Sequence, residues 1–143
     1  MGRTSLTRIL TFGAFDLLHY GHMRLLQRLA ERGSHLIVGL ATDELISSGG
    51  KPRPFYPFDI RREMLLHTRY VNEVVPHGGA VDGVGRVKLI SAKVKLVRDL
   101  KIDEIVMGGD WAGEYDFLLE YCRVTYLERT PGISTSSIRQ ARG

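Results

Sequence analysis

The sequence has a single cysteine among its 143 residues, which excludes a disulfide within the chain. Proteins of oxidising compartments commonly use disulfides, so the lone Cys122 favours an intracellular protein. We interpret Cys122 as a small core residue rather than a reactive thiol. No apolar run approaches the ~20 residues that cross a membrane, and the N-terminus carries no apolar region typical of a signal peptide. We therefore expect a cytoplasmic protein without a membrane segment.

Neither sign of charge dominates, because the chain has 20 lysines and arginines and 16 aspartates and glutamates, which gives a formal net charge of +4. The basic residues are spread along the chain without the dense run typical of a nucleic-acid-binding surface. Nucleic acid is therefore an unlikely partner, and small phosphorylated ligands explain the excess at least as well. Charged residues make up 25% of the chain and apolar residues 43%, a globular balance that argues against disorder.

Short strand-like and longer helix-like apolar segments alternate along the chain. The predicted strands are one ending near Phe12, then His35–Ala41, Val71–Pro76, Glu104–Gly108 and Val124–Leu127. The predicted helices run from near Gly21 to near Gly33, over Pro57–Tyr70 and Val87–Leu100, around Phe117–Leu119 and from near Ser134. Such alternation predicts parallel strands with right-handed crossovers. We expect one α/β domain over residues 1–143, a doubly wound Rossmann-like fold with a five-stranded, mainly parallel sheet.

Two segments are predicted to be loops. Ser47–Pro54 combines serine, glycine, proline and cations, which suits neither a helix nor a central strand and suggests a mobile flap that carries Lys51. His77–Arg86 is rich in glycine and alanine and leads into the basic fourth helix.

The turn Thr11–His22, between the first strand and the first helix, holds the residues on which the functional interpretation depends. It contains two glycines, the carboxylate of Asp16 and the imidazoles of His19 and His22. In an open α/β sheet this turn lies at the carboxyl end of a strand, where ligands bind. A helix beginning near Gly21 directs free N–H groups and a partial positive charge at the same place. We therefore expect an anion to bind there.

The pair His19 and His22 allows three interpretations. The histidines could cap the helix or fill the core, or they could bind a metal together with Asp16, although no further ligand is evident. Alternatively both imidazoles donate hydrogen bonds to phosphate oxygens, which fits the glycines and the helix N-terminus best. The ordinary histidine pKa of about 6.5 makes the charged form accessible beside an anion. Asp16 is equally suited to capping the helix.

Two segments resemble the signatures of a known family. Gly13–His22 is similar to the G-T-F-D-x-x-H-x-G-H signature of the nucleotidylyltransferase superfamily, cytidylyltransferase branch. Arg129–Ile138 is similar to the second signature of that branch, R-T-x-G-I-S-T-T-x-I. The segments Arg69–Val71 and Met107–Trp111 most resemble the glycerol-3-phosphate cytidylyltransferases. The resemblance covers nearly the whole chain, and two long motifs in the family order make it specific.

The resemblance implies a reaction in which CTP and glycerol 3-phosphate give CDP-glycerol and pyrophosphate. The acceptor phosphate attacks the α-phosphorus directly, and because it is already anionic near neutral pH, it needs no general base. The site must instead align two polyanions and stabilise the developing charge. One alternative is a relative that uses another phosphorylated alcohol or sugar, or ATP as in flavin- or heptose-phosphate adenylyltransferases. Another alternative is a nucleotide-binding module without turnover.

The resemblance also assigns roles to individual residues. The implied catalytic residues are His19, His22, Lys51 and Arg129. The implied nucleotide-binding residues are Thr11, Phe12, Gly13, Ala14, Phe15, Asp16, Gly21, Asp110, Ser134 and Thr135. Arg61, Arg69 and Trp111 are expected to contact the acceptor, and Asp16 to help hold Mg²⁺ or another divalent cation on the triphosphate. The resemblance further implies a homodimer.

The chain departs from the family pattern at three places. Ala14 replaces the usual threonine and removes one hydroxyl from the phosphate turn, which we expect to be tolerated. Gly109 stands where the most similar relatives have a second aspartate, and this departure counts against the expectation that the base is cytosine. The glycine-rich segment 78–85 is longer than in those relatives. Trp111 could stack on a base or fill the core, and we regard the two as equal.

Overall fold

The structure, a computed structural model, describes residues 7–50, 52–78 and 86–128. In this part of the chain the strands are β1 Arg8–Gly13, β2 His35–Ala41, β3 Glu73–His77, β4 Glu104–Gly108 and β5 Arg123–Leu127. The α-helices are α1 Tyr20–Ala30, α2 Asp43–Ser47, α3 Phe58–Leu66 and α4 Arg86–Asp99. Single 3₁₀ turns cover Ser48–Gly50, Gly109–Trp111 and Asp116–Leu118.

The five strands form one sheet in the order β3-β2-β1-β4-β5, and every pair of neighbours is parallel. This confirms the predicted doubly wound α/β fold. The direction of winding reverses between β1 and β4, which makes their carboxyl ends the topological switch point where open sheets bind ligands. The ladder between β1 and β4 ends at Leu10 and Ile105, whereas β1 stays paired with β2 as far as Gly13.

Both faces of the sheet are covered, as the continuous apolar strands predict. On one face Leu26 and Leu29 of α1 and Leu65 of α3 pack against Ile9 and Val38. The other face carries a second cluster, which contains Leu10, Phe12, Ile37, Val97, Ile102, Ile105, Met107, Tyr115 and Leu118. Cys122 is free, packs against this second cluster as predicted, and has its thiol pKa raised by burial.

Several predicted boundaries are wrong. Strand β3 is Glu73–His77 rather than Val71–Pro76, so His77 ends a strand instead of beginning a loop. Residues 47–50 were expected to be irregular, but Ser47 ends α2 and a 3₁₀ turn follows. The hydroxyls of Ser47 and Ser48 donate to the carbonyls of Asp43 and Leu45, so serine side chains satisfy carbonyls at the end of α2. The third helix ends at Leu66 rather than Tyr70, and Pro57 is its N-cap residue.

Two other predictions concern segments that the structure does not describe. The helix expected near Ser134 and residues 79–85 of the glycine-rich segment lie outside the described residues. Within the described residues, the helices are all too short or too polar to cross a membrane.

Candidate functional site

A cavity of about 270 Å³ opens at the switch point, above the carboxyl ends of β1 and β4. Its lining includes ten residues that the sequence predicted for the site: Thr11, Phe12, Gly13, Ala14, Phe15, His19, Gly21, His22, Asp110 and Trp111. Leu25, Arg28, Met107, Gly108, Gly109 and Glu128 also line it. The fold therefore brings the first signature and the end of β4 to one space large enough for part of a small ligand.

The turn that follows β1 is held in an unusual backbone conformation. Phe15 has φ +45° and Leu17 has φ +54°, in the left-handed region that side chains other than glycine rarely adopt. Such residues cost about 1–3 kcal/mol each and are common at ligand sites. The Phe15 ring folds back on Gly13, where an added Cβ would lie 2.8 Å from a ring carbon. Gly13 is therefore required by close packing within the turn.

His19 begins helix α1 and also lines the cavity. As the N-cap residue it is extended, and its Nδ1 accepts the backbone N–H of His22 at 3.4 Å. The capping interpretation therefore holds for His19, and the alternative in which Asp16 caps this helix is wrong. With Nδ1 as acceptor, the neutral imidazole carries its proton on Nε2, which leaves this N–H as a donor. Burial lowers the pKa of His19.

The two imidazoles stack with their ring centroids 3.9 Å apart and their planes 20° apart. Burial and the neighbouring His19 lower the pKa of His22 to about 4, although Asp16 acts in the opposite direction. Nδ1 of His22 is buried and has no hydrogen-bond partner among the residues that the structure describes. The charged form that the ordinary pKa of about 6.5 makes accessible is therefore disfavoured at His22 in this structure, where burial keeps the imidazole neutral at neutral pH.

Asp16 is bound to a neighbouring segment instead of facing the cavity. Its carboxylate is buried and accepts the backbone N–H groups of Phe55 at 2.6 Å and Tyr56 at 3.0 Å. No group of three or more histidine, cysteine or acidic residues in the described ranges could hold a metal ion. These hydrogen bonds fix the chain just after the segment that contains Lys51, and the role of Asp16 as a metal ligand stays a prediction.

Arg61 was predicted to contact the acceptor, and the structure contradicts this. Its side chain is completely buried. Nε donates to the carbonyl of Tyr56 at 2.8 Å, and Nη1 donates to the carbonyls of Ala14 and Ala41 at 2.9 Å each. Nη2 pairs with the Asp43 carboxylate at 2.6 Å. With these donors engaged inside the protein, Arg61 joins the phosphate turn to α2 and α3.

The remaining predicted residues fall into two groups. Arg69 is exposed and lies beyond the end of α3, so it is not on the same helix as Arg61. Trp111 is 46% exposed and meets the edge of Tyr115, so its ring lines the cavity instead of filling the core. Lys51, Arg129, Ser134 and Thr135 lie outside the described residues.

Sequence reasoning missed Arg28, Met107 and Glu128 in the cavity wall. The position of Arg28 could have been predicted from the sequence, because it follows His22 and Leu25 at intervals of three on α1. The Met107 contact has no local signal: its thioether accepts the backbone N–H of Phe12 at 3.4 Å from a different strand.

Protonation of buried histidines is expected to destabilise the protein in acid. His77 lies against Lys93, 3.0 Å from its Nζ, and its pKa is lowered to about 4 by burial and then by Lys93. Because the unfolded value is about 6.5, the unfolded chain binds more protons between pH 6.5 and 4, and stability falls as the pH falls through this range. At pH 5 we expect each of His22 and His77 to contribute a loss of up to about 2 kcal/mol relative to pH 7.5.

Urea denaturation at pH 7.5 and pH 5 measures this loss. A His77→Gln variant should show a smaller difference between the two pH values than the wild type, whereas the exposed His67→Gln control should not. Equal pH dependence in the wild type and His77→Gln would contradict the assignment.

Comparison with known proteins identifies similar sequences and a similar fold. Residues 10–141 match a family described as Cytidylyltransferase-like. The chain is 44% identical to a glycerol-3-phosphate cytidylyltransferase of Staphylococcus aureus (strain NCTC 8325 / PS 47), over 93% of this chain and 92% of that protein. It is 31% identical to an FAD synthase of Thermococcus kodakarensis over 93% of this chain and 89% of that protein. The solved structure of a lipopolysaccharide core biosynthesis protein from Thermoplasma volcanium has a similar fold, with a TM-score of 0.68. The match covers 88% of this chain and 99% of that one, at 21% sequence identity.

Proposed function

Because this chain belongs to the cytidylyltransferase-like family, we propose that it transfers a cytidylyl group from CTP to glycerol 3-phosphate. The S. aureus relative, which is named for this activity, is similar over nearly the whole length of both chains. The observation that carries the proposal is the stacked pair His19 and His22, set at a helix N-terminus inside the cavity at the switch point.

In the proposed reaction an oxygen of the acceptor phosphate attacks the α-phosphorus of CTP. The bond from the α-phosphorus to the bridging oxygen breaks, and pyrophosphate leaves with that electron pair. No proton has to be removed from the nucleophile, so the protein contributes alignment and charge stabilisation. The Nε2–H of His19 and the free N–H groups at the start of α1 are donors for phosphate oxygens. A bound polyanion raises the low pKa of His22 and favours its protonated form.

Different parts of the cavity wall suit different parts of CTP. The histidine end suits the triphosphate, while the exposed ring of Trp111 and the carboxylate of Asp110 suit the nucleoside. We assign Arg129, Ser134 and Thr135 to the phosphates on the strength of the second signature alone, and Lys51 on the family resemblance of its loop. Arg69 remains the proposed contact for the acceptor phosphate.

The cofactor, assembly and location are proposals of the same kind. Mg²⁺ or another divalent cation is expected to accompany CTP on the triphosphate oxygens, with Asp16 as its proposed protein ligand. A homodimer follows from the family resemblance alone. A cytoplasmic location rests on the lone Cys122.

A substrate screen tests the proposal. We expect pyrophosphate release when the protein receives CTP, Mg²⁺ and glycerol 3-phosphate, with little release for ATP, GTP or UTP. The acceptor panel should include phosphocholine, phosphoethanolamine, heptose 1-phosphate and flavin mononucleotide. Turnover of ATP with flavin mononucleotide, without turnover of CTP, would instead support the activity for which the T. kodakarensis relative is named.

A further inference from the structure

Arg28 lines the cavity although neither signature contains it. It lies six residues after His22 on α1, which places its Cα about 9 Å farther along the helix axis. Helical side chains lean towards the N-terminus of their helix, which directs the guanidinium towards the carboxyl edge of the sheet. There Nη1 donates to the backbone carbonyl of Glu128, directly after β5, at 2.5 Å.

The Arg28 guanidinium keeps donors for a ligand. It carries five N–H groups, and the carbonyl of Glu128 is the one acceptor it has within the described residues. It forms no salt bridge with any described carboxylate. One turn earlier on α1, the exposed Arg24 instead donates to the side chain of Gln27. Arg28 is thus a half-buried cation in the cavity wall whose hydrogen-bonding capacity the protein leaves largely unused.

Acceptors lie beside these donors. The carbonyl oxygen of Glu128 has a second lone pair, and Glu128, an exposed acidic residue, is part of the same cavity lining as Arg28. Gly109, which also lines the cavity, contributes no side chain, and an added Cβ would lie 3.0 Å from the carbonyl of Leu127, the residue before Glu128. With that position bare, Arg28 and Glu128 supply charged groups at this end of the cavity.

Donors next to acceptors match the pairing edge of cytosine. Cytosine presents two acceptors, O2 and N3, beside one donor, the N4 amino group. Uracil has the same shape but presents a donor at N3 and an acceptor at O4. A site with this arrangement therefore leaves polar groups unpaired when uracil replaces cytosine, which is the strongest basis for discrimination between ligands of equal size.

We propose that Arg28 and Glu128 recognise the base of the nucleotide and select CTP over UTP. The guanidinium donates to O2 and N3 of cytosine, and a Glu128 oxygen accepts from the N4 amino group. This inference rests on the proposed function, because it requires a nucleotide in the cavity with its phosphates at His19 and His22.

The test compares Arg28→Gln with the matched control Arg24→Gln on the same helix. Steady-state kinetics with CTP and with UTP should show kcat/KM for CTP falling about 10- to 100-fold in Arg28→Gln, mostly through KM. The ratio of kcat/KM for CTP to that for UTP should fall by at least about tenfold. Arg24→Gln should match the wild type, and the KM for glycerol 3-phosphate should be unchanged in both variants.

The outcomes separate this inference from the proposed function. If the wild type turns over CTP and Arg28→Gln keeps the same preference for CTP over UTP, the assignment of Arg28 and Glu128 to the base is overturned. The proposed function is not affected by that result. Equal losses with CTP and UTP also overturn that assignment, because they indicate a structural role for Arg28. Absence of CTP turnover in the wild type overturns both proposals. Circular dichroism and urea denaturation establish that Arg28→Gln is folded, and Arg28→Lys provides a second variant that keeps the charge.

Discussion

Replacing His22 by alanine is expected to slow turnover by about 10²- to 10⁴-fold, or roughly 3–5 kcal/mol in transition-state stabilisation. The imidazole lines the cavity and stacks on His19 at the helix N-terminus, where phosphate charge would develop. The variant should remain folded, because Nδ1 of His22 has no partner in the described part of the chain, so the change breaks no hydrogen bond of this atom there. The measurement is kcat with saturating CTP and glycerol 3-phosphate.

The matched control for this experiment is His67→Ala, which removes an exposed imidazole from the end of α3. Its kcat should equal that of the wild type. An unchanged kcat in His22→Ala would return His22 to a purely structural role. In the wild type, the pKa of His22 should rise from about 4 when CTP binds, which histidine side-chain NMR measures.

The second large effect concerns the buried arginine. Replacing Arg61 by leucine is expected to reduce the free energy of unfolding by about 3–5 kcal/mol. The change leaves the Asp43 carboxylate without its ion-pair partner and the carbonyls of Tyr56, Ala14 and Ala41 without a donor. Small domains have only about 5–15 kcal/mol in total, so the variant should be marginally stable. Urea denaturation followed by circular dichroism measures the loss.

Three further variants sharpen the interpretation of Arg61. The exposed neighbour Arg62→Leu is the control and should change stability by less than about 0.5 kcal/mol. Arg61→Lys should not restore stability, because an ammonium lacks the planar fork that reaches separate acceptors. Arg61→Leu combined with Asp43→Asn should lose less than the sum of the single changes. A stable Arg61→Leu protein with a raised KM for glycerol 3-phosphate would contradict the structural role and restore the predicted contact with the acceptor.

The parts of the fold that could be predicted are those fixed by local pattern. The strands His35–Ala41 and Glu104–Gly108 were predicted to the residue, because an uninterrupted apolar run marks a strand that is buried on both faces. The convergence of the first signature with Asp110 and Trp111 was predictable for a similar reason. Both segments follow strands of one parallel sheet, so their side chains meet at its carboxyl edge.

The parts that could not be predicted depend on contacts between distant segments. Arg61 looks like any surface arginine in the sequence, and only the folded chain gathers its four acceptors from the turn after β1, the end of β2, the start of α2 and Tyr56. Asp16 was assigned to a metal or a cap because its partners, two backbone N–H groups, leave no trace in sequence. The low pKa of His22 likewise arises from burial that no motif encodes.

The central claim is that this cavity joins the cytidylyl group of CTP to the phosphate of glycerol 3-phosphate. Phosphorus-31 NMR of the purified protein with CTP, Mg²⁺ and glycerol 3-phosphate follows each phosphate of the reaction directly. The account predicts that resonances of a CDP-glycerol diphosphate and of free pyrophosphate grow together in equal amounts, while those of CTP and glycerol 3-phosphate decline. Persistence of glycerol 3-phosphate, with CTP unchanged or hydrolysed to CDP or CMP, would contradict it.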